Sequence, residues 1–158
     1  MKRTILLLVF STVSLFADTP WPGVRFVEVR AFAWPDDMKS ASVMLPGKTP
    51  KPGAINTNGT VLTPDQTNRL LSAVTGKHRE YAWAHCHRPH NAFVFYDSEK
   101  KPVAFIELCF ECLTAVVEPQ RGVATFIDLT ELARIFDELK LPMGRYQDLR
   151  SFQRDFKG

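Results

Sequence analysis

The sequence lacks long apolar runs, internal repeats and a marked charge excess, and each absence excludes a class of protein. No apolar run approaches the roughly 20 residues that a membrane-spanning helix requires, and no repeat unit of about 20–50 residues indicates a solenoid. No phosphate-binding loop, Ser-His-Asp set or pair of facing carboxylates is present. Hydrophobic residues make up 45% and charged residues 23% of the 158 residues, which excludes global disorder and indicates one globular domain.

The first residues have the pattern of an export signal. Lys2 and Arg3 precede an apolar stretch over 5–16, which is typical of a secretory signal peptide at 1–17. The mature chain would then be a single domain over 18–158, periplasmic or extracellular in a bacterium and free of the membrane. Loss of two cations leaves 18 basic against 17 acidic residues, so the net charge falls from +3 to +1. This balance gives no support to nucleic-acid binding.

Residue periodicity predicts an α+β fold. The segment 35–62 is rich in proline and glycine and is expected to be a long loop. The order of the predicted elements favours an antiparallel sheet of four or five strands with two or three helices packed on one face. Strands are predicted over 24–34, 42–45, 91–97, 102–110, 114–118 and 123–128, and helices over 64–74, 129–140 and 146–156.

The strands 91–97 and 102–110 form the clearest predicted hairpin. With a two-residue turn at 99–100, opposed residues have numbers that sum to 199, so that Asp97 faces Pro102 and His90 faces Cys109. Opposed side chains share a face of the sheet and lie ~4.5–5.5 Å apart at Cβ. The face that carries residues 93, 95, 104, 106 and 108 is the predicted core. Glu107 lies on the other face, either as a partner for an imidazole or as a surface carboxylate.

Cysteine and histidine residues cluster around this hairpin. The spacing Cys86-x3-His90-x18-Cys109-x2-Cys112 is typical of a tetrahedral Cys3His zinc site, and these thiolates would also accept Cu(I). His87 would face Cys112 in the same register, so it is the alternate for His90. Four protein ligands leave no open position, which favours a structural metal centre over a catalytic one.

Two strings within this region carry a resemblance to a known group. Residues 86–97 (CHRPHNAFVFYD) and 106–112 (IELCFEC) resemble a group of small exported bacterial proteins that share a C-x-x-P-[RH]-H … C-F-x-C pattern. The resemblance covers about the central 27 residues. It implies that the three cysteines and His90 act as a unit, and it implies no activity.

Two other uses of the cysteines remain open. In an oxidising compartment Cys86 would pair with Cys112 or Cys109 and leave one free thiol. Alternatively, Cys109-x-x-Cys112 would act in thiol–disulfide exchange, although its predicted place in a strand differs from the helix N-terminus of thioredoxin-like motifs. We expect binding or scaffolding of an unidentified protein or small molecule rather than catalysis.

Overall fold

The computed structural model describes residues 21–156 and contains seven strands and three helices in that range. The predicted signal peptide, 1–17, lies outside the described residues. None of the helices within 21–156 has the length and apolar character that crossing a membrane requires. The strands are β1 (Glu28–Ala33), β2 (Met44–Leu45), β3 (Thr49–Pro50), β4 (Thr60–Val61), β5 (Asn91–Tyr96), β6 (Pro102–Cys109) and β7 (Thr114–Glu118), and the helices are α1 (Pro64–Thr75), α2 (Leu129–Glu138) and α3 (Leu149–Asp155).

Five of the strands form one antiparallel sheet in the order β4-β1-β5-β6-β7, and β2 and β3 form a separate two-stranded ribbon. The predicted α+β class is therefore confirmed, with five strands where four or five were predicted and three helices where two or three were predicted. The hairpin strands β5 and β6 occupy the interior of the sheet, while β4 and β7 are its edges.

The predicted hairpin register is correct except at the turn. Residue numbers sum to 199 from the pair Asn91–Leu108 to the pair Phe95–Ala104. Between Phe95 and Tyr96 the ladder shifts, and Tyr96 instead of Asp97 lies opposite Pro102. The reason is the Asp97 carboxylate, which accepts the N–H groups of Glu99 and Lys101 at 2.9 Å each and so closes a longer turn.

The two faces of the sheet are covered by different material. The helices cover the face that contains Phe93, Phe95 and Ile106, all fully buried, as predicted. The 35–62 segment, predicted as one loop, contains the short strands β2 and β3 and ends in the edge strand β4. Its part before β4 covers the other face, where a smaller apolar cluster forms. Its buried members are Phe32, Trp34, Val43, Met44, Ala54, Ala92, Val94 and Phe105.

The first two helices begin where their capping residues stand. Thr63 and Gln66 form a capping box at α1, and the Asp128 carboxylate accepts the N–H of Glu131 at the start of α2. The predicted last helix is shorter than 146–156, because Asp148 caps it by accepting the N–H of Ser151. Each helix is therefore fixed at its start by local side-chain chemistry.

One predicted strand is wrong. The segment 123–128 contains no strand and does not pair with β7. Instead Ala124 N–H donates to the carbonyl of Val74, and Asp128 N–H donates to the carbonyl of Ala73, both at 2.9 Å. These carbonyls belong to the last turn of α1 and have no partner within the helix, so they take the backbone donors that a hairpin would have used.

Candidate metal centre and disulfide

Cys86 and Cys112 form a disulfide across the open end of the β5–β6 hairpin. Their Cα atoms are 5.6 Å apart and their sulfur atoms 2.10 Å apart, with a sequence separation of 26 residues. Ala84 N–H donates to the carbonyl of Cys112 at 2.9 Å, so backbone pairing supports the bridge. Of the two pairings considered from the sequence, the structure contains this one.

The Cys3His centre is not assembled in this oxidised form. Cysteine binds a metal ion as a thiolate. Cys86 and Cys112 offer no thiolate because they are bonded to each other. Cys109 is a buried free cysteine whose Sγ accepts the N–H of Cys112 at 3.4 Å. The zinc centre of Cys86, His90, Cys109 and Cys112, with His87 as alternate, stays a prediction for the reduced protein.

His90 lies at the end of the sheet where β1 and β6 finish and β5 begins. Its carbonyl accepts the N–H of Trp34 at 2.8 Å, and its own N–H donates to Leu108 at 3.2 Å. The residue is 6% exposed, and its Nε2 is buried with no hydrogen-bond partner among residues 21–156. An unpaired buried nitrogen costs about 1–3 kcal/mol, so a bound group that pairs with it would stabilise the fold.

Two carboxylates stand beside His90. Asp36 follows β1 and Glu111 follows β6, so the antiparallel order brings both to the end of the sheet that holds His90. One ring nitrogen of His90 and one oxygen from each carboxylate lie within 4.8 Å of one another. Among the residues described, no lysine or arginine pairs with either carboxylate. These three side chains form a group that can hold a metal ion.

Gly144 closes one side of this group. Its φ of +63° favours glycine, and an added Cβ would lie 3.0 Å from Glu111 Oε1 and 3.3 Å from His90 Nδ1, so both side chains would have to shift. The next residue, Arg145, donates its backbone N–H to Glu111 Oε1 at 3.2 Å. The loop between α2 and α3 therefore fixes the direction of the Glu111 carboxylate.

A second polar cluster is centred on Glu107, which is 2% exposed on the sheet face covered by the 35–62 segment. Its Oε2 accepts from Ser42 Oγ and Val43 N–H at 2.7 Å and from Met44 N–H at 3.2 Å. Its Oε1 lies 3.0 Å from His87 Nε2. Glu107 is thus the partner of an imidazole and not a surface carboxylate.

The hydrogen bonds to Glu107 keep it ionised. Burial alone would raise the pKa of this carboxyl group, but the donors from His87, Ser42 and Val43 outweigh burial and hold the pKa below its ordinary value. A carboxylate that accepts several hydrogen bonds is favoured in its charged form for this reason. Glu107 therefore carries a buried negative charge at neutral pH.

The other ring nitrogen of His87 extends this cluster to a hydroxyl group. Nδ1 of His87 lies 2.8 Å from Thr114 Oγ1, at the start of β7. Carboxylate, imidazole and hydroxyl thus stand in one hydrogen-bonded series. The structure separates the two histidines that the sequence offered as alternates: His90 joins Asp36 and Glu111, while His87 joins Glu107 and Thr114.

Sequence analysis missed three of these residues. The sequence patterns assign no role to Asp36, Glu111 or Thr114. The signal that could have found Asp36 and Glu111 is topological, since both follow strands that end beside His90 in an antiparallel sheet. Because both residues are distant from His90 in sequence, no local motif indicates that they lie beside it.

A surface cleft of about 460 Å³ lies apart from both clusters. Arg30, Phe32, Lys51 and Tyr96 are among the residues that line it. Its cations are bonded within the chain: the Arg30 guanidinium donates to Glu28 and to the Asn58 carbonyl, and Lys51 Nζ donates to Ser40 and Ser42. We assign no ligand to this cleft.

Comparison with known proteins gave no relative. No family model matches the chain, and neither the curated proteins nor the solved structures contain a significant match. The resemblance to small exported bacterial proteins therefore stays a prediction.

Proposed function

We propose that this protein is an exported binding domain, stabilised by the Cys86–Cys112 disulfide, that holds one divalent metal ion between Asp36, His90 and Glu111. Zinc is the first candidate. The metal would join the ends of β1, β5 and β6 and present a charged surface to a protein or small-molecule partner.

The observation that carries the proposal is the buried, unpartnered Nε2 of His90 in a residue that also belongs to the three-member ligand group. Two carboxylates within 4.8 Å of an imidazole nitrogen would repel each other without a cation. A divalent ion removes that repulsion and compensates for the desolvation of the histidine.

The donor set indicates which metals fit. One imidazole and two carboxylates suit Zn²⁺, and the oxygen donors also admit Mn²⁺ and Fe²⁺. Cu(I) favours thiolate ligands. The sulfur atoms of Cys86 and Cys112 are used in the disulfide, so this site does not favour Cu(I). Three protein ligands leave a coordination position open to water or to a ligand atom of a partner.

Native mass spectrometry and titration calorimetry with Zn²⁺ test the proposal. The protein is purified without chelators or reductant, and peptide mapping first verifies the Cys86–Cys112 bond. We expect one zinc per chain, and at least tenfold weaker binding in His90→Ala and in Glu111→Gln, because ligand loss removes direct bonds to the ion. His85→Ala is the matched control, since His85 is exposed and lies outside the group.

Two outcomes would contradict this site. Binding that is unchanged in His90→Ala and Glu111→Gln would show that the metal sits elsewhere. Binding that appears only after reduction and is lost in Cys112→Ser would instead establish the Cys3His centre. Gly144→Ala adds a further check, because a side chain there would press on both His90 and Glu111 and should weaken zinc binding without removing a ligand.

Thiol–disulfide exchange is a second candidate function, favoured by the contact between Cys112 N–H and Cys109 Sγ. Attack of the Cys109 thiolate on Cys112 Sγ would form a Cys109–Cys112 bond and release Cys86 as a thiolate that takes up a proton. No external oxidant is required for this exchange. The peptide map of the same preparation reads it directly, as a mixture of the two disulfides.

A further inference from the structure

The series Glu107–His87–Thr114 has the order of groups found in enzymes that activate a hydroxyl nucleophile. Glu107 Oε1 lies 3.0 Å from His87 Nε2, and His87 Nδ1 lies 2.8 Å from Thr114 Oγ1. Both distances fall within the range of good hydrogen bonds. In such a series the carboxylate orients the imidazole, and the imidazole accepts the proton of the hydroxyl group.

The hydrogen bonds determine which nitrogen of His87 carries the proton. An ionised carboxylate can only accept, so Glu107 requires an N–H at Nε2. With Nε2–H directed at Glu107, a neutral ring has its lone pair at Nδ1, 2.8 Å from Thr114 Oγ1, so Nδ1 can accept the hydroxyl proton. The carbonyl of Cys86 is a competing acceptor for that hydroxyl, but it lies farther away, at 3.4 Å. The hydroxyl oxygen therefore lies within hydrogen-bond distance of a ring nitrogen that can act as a general base.

Each member of the series is positioned by neighbouring bonds or strand pairing. Glu107 lies in the sheet interior, with its second oxygen bonded to the 42–44 segment. His87 follows the disulfide-bonded Cys86 directly. Thr114 is the first residue of β7 and pairs with Cys109 in the ladder. Preorganisation of this kind is what a proton-transfer site requires.

The hydroxyl end of the series is open to a substrate. Thr114 is partly exposed on an edge strand, and the His87 side chain is 23% exposed, whereas the Glu107 side chain is 3% exposed. Leu113, immediately before Thr114, has a φ of +55°, an unfavourable conformation for a non-glycine residue and one that is enriched at functional sites. The carboxylate of Glu107 is thus buried, whereas the hydroxyl group of Thr114 is accessible to a substrate.

We propose that Thr114 is a nucleophile for acyl transfer, with His87 as its general base, Glu107 as the positioning residue and an ester as the substrate class. Oγ1 attacks the ester carbonyl carbon while its proton passes to His87 Nδ1. The bond to the alcohol breaks, and the alcohol oxygen takes that proton. Water then attacks the acyl carbon while one of its protons passes to His87 Nδ1. The bond from the acyl carbon to Oγ1 breaks, and Oγ1 takes that proton from Nδ1. The net reaction converts ester and water into acid and alcohol, independently of any metal at Asp36, His90 and Glu111.

The test uses the oxidised protein, p-nitrophenyl acetate as the probe and a chelator to exclude metal. We expect one acetyl group on Thr114 by peptide mapping, formed at least a hundredfold more slowly in His87→Ala. Thr114→Ser should keep the acetylation and Thr114→Val should lose it, while Thr57→Val, at an exposed loop threonine, is the matched control. Because this ester is strongly activated, the proposal would be overturned if the wild-type protein neither carried acetyl-Thr114 nor released p-nitrophenol faster than His87→Ala, or if acetylation were confined to lysines.

A structural role for Glu107 is separated from its positioning role by the ring protonation of His87. Nitrogen NMR of the imidazole should show the Nε2–H form in the wild-type protein, and Glu107→Gln should reduce both that form and the acetylation rate. Circular dichroism verifies that each variant is folded. If the acetylation rate were unchanged in a folded Glu107→Gln variant, the carboxylate would have no part in the reaction.

Discussion

The two faces of the central sheet are built from the same strands but are covered in different ways. On one face, helices satisfy their own backbone groups, so the contact with the sheet is mostly apolar, as around Phe93 and Phe136. On the other face, the irregular 35–62 segment brings backbone donors to the sheet, and a buried charge at Glu107 accepts them. A loop that covers a sheet needs polar partners that a helix does not need.

The helix-covered face should be the more sensitive to a cavity. Phe136 is fully buried and its ring lies 4.7 Å from that of Phe93, so Phe136→Ala should lower the free energy of unfolding by about 3–5 kcal/mol. Phe105→Ala, on the loop-covered face, should cost less, because that segment has more freedom to close the cavity. Urea denaturation measures both. Equal losses would show that the two faces are equally rigid.

The stability of the loop-covered face should instead depend on the negative charge of Glu107. Glu107→Gln replaces a carboxylate that accepts the N–H groups of Val43 and Met44, and it should lower the free energy of unfolding by about 1.5–3 kcal/mol. The control is Glu99→Gln at the exposed hairpin turn, with an expected change within about 0.5 kcal/mol. If the two variants lost similar stability, the 35–62 segment would be held by apolar contacts alone.

The smallest of these effects is the pH dependence that Glu107 contributes. The pKa of this carboxyl group is lower in the folded protein than its ordinary value of 4.5. Its contribution to stability is therefore complete above about pH 4.5 and is lost as the pH falls toward the folded-state pKa. Unfolding by urea, measured stepwise from neutral to acidic pH, should show a shallower acid loss in Glu107→Gln. Parallel curves would assign the acid sensitivity to other carboxylates.

Local sequence was sufficient to predict much of the fold. The Asn91–Phe95 register followed from the position of the turn, and helix α1 begins at the predicted residue 64, next to the Thr63–Gln66 capping box. The misplaced strand at 123–128 shows where this reasoning fails, since its backbone donors bind the carbonyl end of α1, a contact that no local pattern encodes.

The candidate sites were predicted only in part, for the same physical reason. His87, His90 and the cysteines were found because they are close in sequence. Asp36 and Glu111 reach His90 only through the strand order, and Thr114 reaches His87 only through the β6–β7 pairing. Residues that sheet topology brings together can be far apart in sequence, so no short sequence motif contains them.

The Cys86–Cys112 bond also links the two candidate sites mechanically. Cys86 stands next to His87 in the chain, and Cys112 stands between Glu111 and the Leu113–Thr114 pair. One disulfide therefore sets the separation between the segment before β5, which carries His87 and His90, and the β6–β7 turn region, which carries Glu111 and Thr114. Reduction would break this disulfide and loosen both sites at once, so the metal group and the Thr114 series both depend on the Cys86–Cys112 bond.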